Sequence, residues 1–179
     1  MKRIFLIMIG LVFFSCGNEV KQDNAHHQDS DAVSEEKTKS LSPHTSTMAL
    51  IDGAHIHIDY SSPSVRERII FGGLVGYNTV WQAGAHKATW IETDKDLNFN
   101  GEVLPAGKYG FFVIPGKDSW KVFFNSRWDQ HGKDEFDEAE NVLEMDVTPI
   151  EPGEMQESLI YEIEKTGEEG GIVNLSWEK

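Results

Sequence analysis

Ala54-His55-Ile56-His57-Ile58-Asp59-Tyr60 alternates polar and apolar residues without a break. Successive side chains of a strand point to opposite faces, so one face of this run is Ile56, Ile58 and Tyr60 and the other is His55, His57 and Asp59. The period of the chain from here on is two rather than about 3.6, which argues strands and not helices. Residues 89–93, 97–99, 102–104, 109–114, 120–124, 142–147, 159–163 and 172–177 read as further strands. Asn100-Gly101 between two of them is the strongest short hairpin signal, and Pro105-Ala106-Gly107 and Pro115-Gly116 mark two more turns. Residues 127–140, polar and acidic, are the one stretch expected to be helical or irregular. The expectation is an all-β domain over residues 43–179, a single antiparallel β-sandwich of jelly-roll-like form.

The N-terminus carries a different signal. Lys2 and Arg3 precede an apolar run at residues 4–14, and Phe13-Phe14-Ser15-Cys16 reads as a lipobox. The run is about eleven residues long, too short to span a bilayer as a helix, where roughly twenty are needed. Residues 1–15 are therefore expected to be a lipoprotein signal peptide, cleaved before a lipidated Cys16. Two or three acyl chains hold a protein firmly, each buried methylene contributing about 0.8 kcal/mol. Residues 16–42 are rich in Asn, Gln, Asp, Ser, Glu and Lys and read as a disordered polar tether. This predicts a protein anchored by its acyl chains to a bacterial cell envelope membrane, on the periplasmic or outer-membrane side.

Cys16 is the only cysteine, which excludes a disulfide, a Cys-based zinc site, an iron–sulfur cluster and a cysteine nucleophile in the folded part. The formal net charge is −14, and loss of Lys2 and Arg3 with the leader would make it two units more negative. Such a surface repels phosphate backbones and anionic headgroups, so nucleic acid is rejected as a partner.

Several motifs in order resemble one known family. They are Ile51-Asp52-Gly53, Asp59-Tyr60-Ser61-Ser62-Pro63-Ser64-Val65, Ile70-Phe71-Gly72-Gly73-Leu74-Val75, Val80-Trp81, Gly84-Ala85-His86, Leu104-Pro105-Ala106-Gly107-Lys108-Tyr109 and Ile114-Pro115-Gly116. Together they resemble the bacterial envelope family catalogued as domain of unknown function 2911, over about residues 43–163. The resemblance implies a secreted or lipid-anchored β domain and brings no activity with it. The chain departs from the common pattern at Ser62, Gln82 and His86, where many members carry Arg, Arg and Asn.

Four histidines, His55, His57, His86 and His131, form the sharpest candidate site. A His-x-His pair on a strand sets two imidazoles on one face, roughly 6.5–7 Å apart. A third from Gly84-Ala85-His86 could complete a site for a divalent transition metal such as Zn, Cu or Fe, which would make the chain a metalloprotein or a metalloenzyme. The competing reading of His55, His57 and Asp59 is the solvated face of an alternating strand. Asp96-Leu97-Asn98-Phe99-Asn100-Gly101 copies half an EF-hand loop, but Gly107 stands where the bidentate acid belongs, and a hairpin fits better. There is no G-x-S-x-G elbow, and Ser61, Ser62 and Ser64 flank Pro63 as a turn. Trp81, Trp90, Trp120 and Trp177 are expected in the core, whereas Trp128 lies in a polar stretch beside His131, where an exposed indole could stack on a sugar. Trp81 and Trp128 are the candidate ligand-binding residues. The leading expectation is a non-catalytic module for a small-molecule, glycan or protein partner, its pocket lined by those two tryptophans and the four histidines.

Overall fold

The computed structural model describes residues 40–151, 153–167 and 169–178. The expected signal peptide, Cys16 and residues 17–39 of the expected tether lie outside the described residues. Ten strands follow in order: β1 (His44–Ile51), β2 (Ala54–Ser61), β3 (Trp90–Thr93), β4 (Leu97–Phe99), β5 (Glu102–Leu104), β6 (Gly107–Ile114), β7 (Trp120–Asn125), β8 (Asn141–Val147), β9 (Gln156–Thr166) and β10 (Gly170–Glu178). A single 3-10 turn at Glu138–Glu140, capped by the Asp137 carboxylate on the Ala139 N–H, is the one helical piece among the described residues. The described residues are all-β with antiparallel sheets, as their alternation and turns require.

Six strands make one sheet in the order β1-β2-β3-β6-β7-β8, and β9-β10 and β4-β5 are separate two-stranded ribbons. The large sheet is thus a meander with the β4-β5 ribbon inserted between β3 and β6. That ribbon pairs Asn98 with Val103 and Phe99 with Glu102, so Asn100-Gly101 is its two-residue loop. Both loop residues have positive φ, 54° and 104°, as such a loop demands. The Asn98 side chain accepts from the Gly101 N–H and the Asp96 side chain from the Ala106 N–H, each at 2.8 Å. The half EF-hand is therefore spent on turn hydrogen bonds.

Register carries one apolar face straight across the sheet. Ile58 opposes Ile91, Ile91 opposes Tyr109, and Phe111 opposes Phe124, which opposes Leu143. Leu159 and Tyr161 of β9, Trp177 of β10, Leu104 of β5, and Val65, Ile70, Val75 and Trp81 of the long β2–β3 connection close over this face in one continuous core. Each such large apolar side chain contributes about 1.5–3 kcal/mol on burial. The second layer of the sandwich is thus two ribbons and a loop rather than a second broad sheet.

The other face is covered only at one end. Phe112 and Phe123 lie side by side in the register and pack with Ala88 beneath Phe136. The irregular stretch at residues 126–137 forms this cover, as its composition predicts, and Gly110 lets it approach. A Cβ on Gly110 would lie 3.2 Å from the Arg127 carbonyl and 3.3 Å from the Trp128 Cα. Towards β1 the same face is open, and Met48 and Leu50 are exposed on it.

Candidate functional site

The β2–β3 connection builds the wall of a cleft. Trp81 pins it to β6 by exchanging both backbone hydrogen bonds with Val113, at 2.8 and 2.9 Å. The chain then turns sharply: Ala83 and His86 both sit in the left-handed region, at φ 52° and 63°. Non-glycine residues hold that conformation only where their surroundings impose it. Here the Ala83 carbonyl accepts from two buried hydroxyls, Thr89 at 2.9 Å and Tyr161 at 2.7 Å. Burial pushes the Tyr161 hydroxyl well above its ordinary range, so it stays a neutral donor. Gly84 runs close to Thr89, whose Oγ1 would stand 2.7 Å from a Cβ there.

The Trp81 indole N–H donates to the Gly84 carbonyl at 3.0 Å, and its ring stacks on Trp177 with centroids 5.8 Å apart and 24° between planes. Phe71 meets both indoles edge-on. Over this aromatic base lies a cleft of about 310 Å³, walled by Leu74, Val75 and Val80 and rimmed by Thr79, Gln82, His86 and Lys133. The Trp177 N–H is buried and has no hydrogen-bond partner. Buried donors are rarely left so.

A second cluster lies on the open outer face of the sheet. Lys108 Nζ sits 3.3 Å from the Trp90 ring centroid and 4.1 Å from that of Trp128, with Glu92 Oε2 at 3.8 Å. His57 meets Trp90 edge-on at 5.0 Å, and its Nε2 is buried without a partner. His55, His57, Glu92, Thr93 and Asp94 line a shallow depression of about 280 Å³ beside it. The Asp94 carboxylate is already engaged, accepting from the His55 backbone N–H at 2.7 Å.

The structure thus divides the expected pocket. His86 and Trp81 belong to the cleft, while His55, His57 and Trp128 belong to the outer face. His131 is exposed next to the cleft rim: its backbone pairs with Lys87, and its Nδ1 is 3.9 Å from Asp134. Among the described residues, no group of three or more His, Cys, Asp or Glu side chains is arranged to hold a metal ion. The reason is geometric, since β2 presents His55 and His57 to the outer face whereas His86 stands on the loop that closes the inner one. Trp128 is half-buried, its ring covered by Lys108 rather than free for a sugar. Trp90, expected in the core, is half-buried on that same outer face.

Sequence reasoning missed Gln82, Lys133 and Trp177 as cleft residues and Lys108 as the centre of the outer cluster. Trp177 looks like an ordinary inward strand residue, and only the fold brings it against Trp81. A signal was present at Lys108, which falls on the outer side of β6, in line with Glu92 and His57 across β3 and β2.

No curated protein and no solved structure matches the chain. One family model does, over residues 42–179, nearly the whole of the folded part. The chain belongs to the family described as protein of unknown function (DUF2911).

Proposed function

We propose that this protein is a non-catalytic binding module, held at the bacterial envelope through acyl chains on Cys16, and that it takes a small molecule in the Trp81–Trp177 cleft. The observation that carries this reading is the cleft itself. At about 310 Å³ it falls at the small end of ligand sites, which run from roughly 300 to 1,000 Å³. Its walls are apolar and its rim is polar, the mixture that small-molecule sites use for affinity and orientation.

The test is a ligand-observed NMR screen of a chemically diverse small-molecule set against the full chain in detergent micelles, with empty micelles as the blank. Hits are re-measured on Leu74→Trp and Ala85→Phe, which fill the cleft from its wall. The reading expects hits that both variants abolish while their far-UV spectra stay unchanged. Hits that both variants leave intact, or none at all, would reject the cleft as the ligand site. The anchor is tested separately: Cys16→Ser should abolish incorporation of labelled fatty acid and release the chain from the membrane fraction.

A further inference from the structure

We infer that the Trp81–Trp177 cleft selects a small organic anion, an apolar body ending in a carboxylate, with Lys133 and His86 at its charged end. This deepens the reading of the cleft as a ligand site and rests on it.

Charge is unevenly distributed over the molecule. The chain has 30 acidic residues against 16 basic ones, so an average patch of its surface is negative. None of the side chains lining the cleft is acidic, and the two ionisable ones are Lys133 and His86. Among the described residues, Lys133, like Lys95, Lys117 and Lys165, has no carboxylate within ion-pair distance, and of these four only Lys133 lines the cleft. A lysine without a counter-ion on an acidic protein, standing at the mouth of its cleft, is a place for an anion.

The rim presents the Lys133 ammonium, which can only donate, and the floor includes Trp177, whose buried indole N–H has no acceptor of its own. Gln82 adds an amide that makes no hydrogen bond among the described residues. A ligand that completes this site brings acceptors, and a carboxylate brings two oxygens and no donor. A cationic amine would meet Lys133 as a like charge. On the apolar side, Leu74, Val75, Val80 and Trp81 face the body of the ligand rather than its head. An inorganic anion would use the rim and leave this wall empty.

The experiment titrates the full chain in detergent micelles with phenylacetate, indole-3-acetate and hexanoate, each beside its primary amide, and with hexylamine. Binding is read by calorimetry and by the indole N–H resonance of Trp177 in ¹⁵N-labelled protein. The inference expects each carboxylate to bind about tenfold more tightly than its amide, the low end for a hydrogen bond to a charged group. It also expects Lys133→Ala to erase that gap, Lys133→Arg to retain it, and the Trp177 resonance to move with carboxylate. Lys133 is exposed, so its variants test the charge and not the fold. Amides that bind as well as carboxylates, or a gap that survives Lys133→Ala, would overturn the inference while leaving the cleft a site for neutral ligands. Failure of all the carboxylates to bind would overturn it as well, and the broad screen then decides the cleft on its own.

Discussion

The Tyr161 hydroxyl donates to the Ala83 carbonyl at 2.7 Å, joining the β9–β10 ribbon to the wall of the cleft. Thr89 donates to the same oxygen. One buried carbonyl thus uses both lone pairs to hold Ala83 at its positive φ. Tyr161→Phe is expected to destabilise the protein by about 1–2 kcal/mol, because Thr89 still satisfies the oxygen. Tyr161→Phe with Thr89→Val leaves it unpaired and should cost more than the sum of the two single changes. Urea denaturation of the three variants measures this, and strict additivity would show that the two hydroxyls do not share the work.

Glu178 is the counterpart at the far end of the chain. Its two carboxylate oxygens accept from the Ile70 and Phe71 N–H groups, each at 3.0 Å. The last described residue therefore fastens a loop more than a hundred positions earlier, next to the Phe71–Trp177 contact. Glu178→Gln is not a conservative change here. An amide can satisfy only one of two N–H donors and turns its own NH₂ towards the other. Both Glu178→Gln and Glu178→Ala are expected to lower stability by about 1–3 kcal/mol, as for hydrogen bonds to a charged group. Hydrogen exchange at Ile70 and Phe71 should quicken while exchange in β6 and β7 changes only with global stability. Unchanged protection at both amides would reject the role.

The strands of the large sheet were legible because alternation and turn residues are local. β2, the Asn100-Gly101 ribbon, and β6 through β8 fall where their sequences place them. β1 was not legible as a strand: His-Thr-Ser-Thr-Met-Ala-Leu-Ile has little apolar alternation, and this edge strand is defined by its partner β2. The cleft was not legible either, for a different reason. Its wall comes from residues 74–86, its base from β10 and its rim from Lys133, and no local pattern announces that these meet. The histidines show the converse limit. Their types suited a metal, and the two-residue period already put His55 and His57 on the outer face, but which face the His86 loop covers is a tertiary fact.

Gly110 offers a test of how the outer cluster is assembled. A Cβ there would lie 2.8 Å from the Phe112 ring as well as against the backbone of Arg127 and Trp128. Gly110→Ala must therefore displace the Phe112 ring and push residues 127–128 outward by a few tenths of an ångström. The expected cost is about 1–3 kcal/mol, typical of overpacking. Because Trp128 would move away from Lys108 and Trp90, the tryptophan emission should shift to the red in the folded variant. Ala at this position with no change in stability or emission would mean that the cover is not in contact with β6.

The Lys108 ammonium lies over both Trp90 and Trp128 while Glu92 is only 3.8 Å away, so its charge has two kinds of partner. Their relative weight can be decided. Glu92 is about half exposed, and an ion pair of that sort contributes roughly 0–1 kcal/mol and fades with salt. The two indole faces together should contribute about 1–2 kcal/mol, and the half-buried ring of Trp128 shields them from salt. Lys108→Met keeps the length of the side chain and removes the charge. It is expected to destabilise the protein by about 1 kcal/mol, against less for Glu92→Gln. In a double-mutant cycle of Lys108→Met with Trp128→Leu, the coupling should be about 0.5–1 kcal/mol and should persist at high salt. A coupling that vanishes on adding salt would assign the stabilisation to Glu92 instead, leaving the tryptophans as hydrophobic cover for the lysine stem.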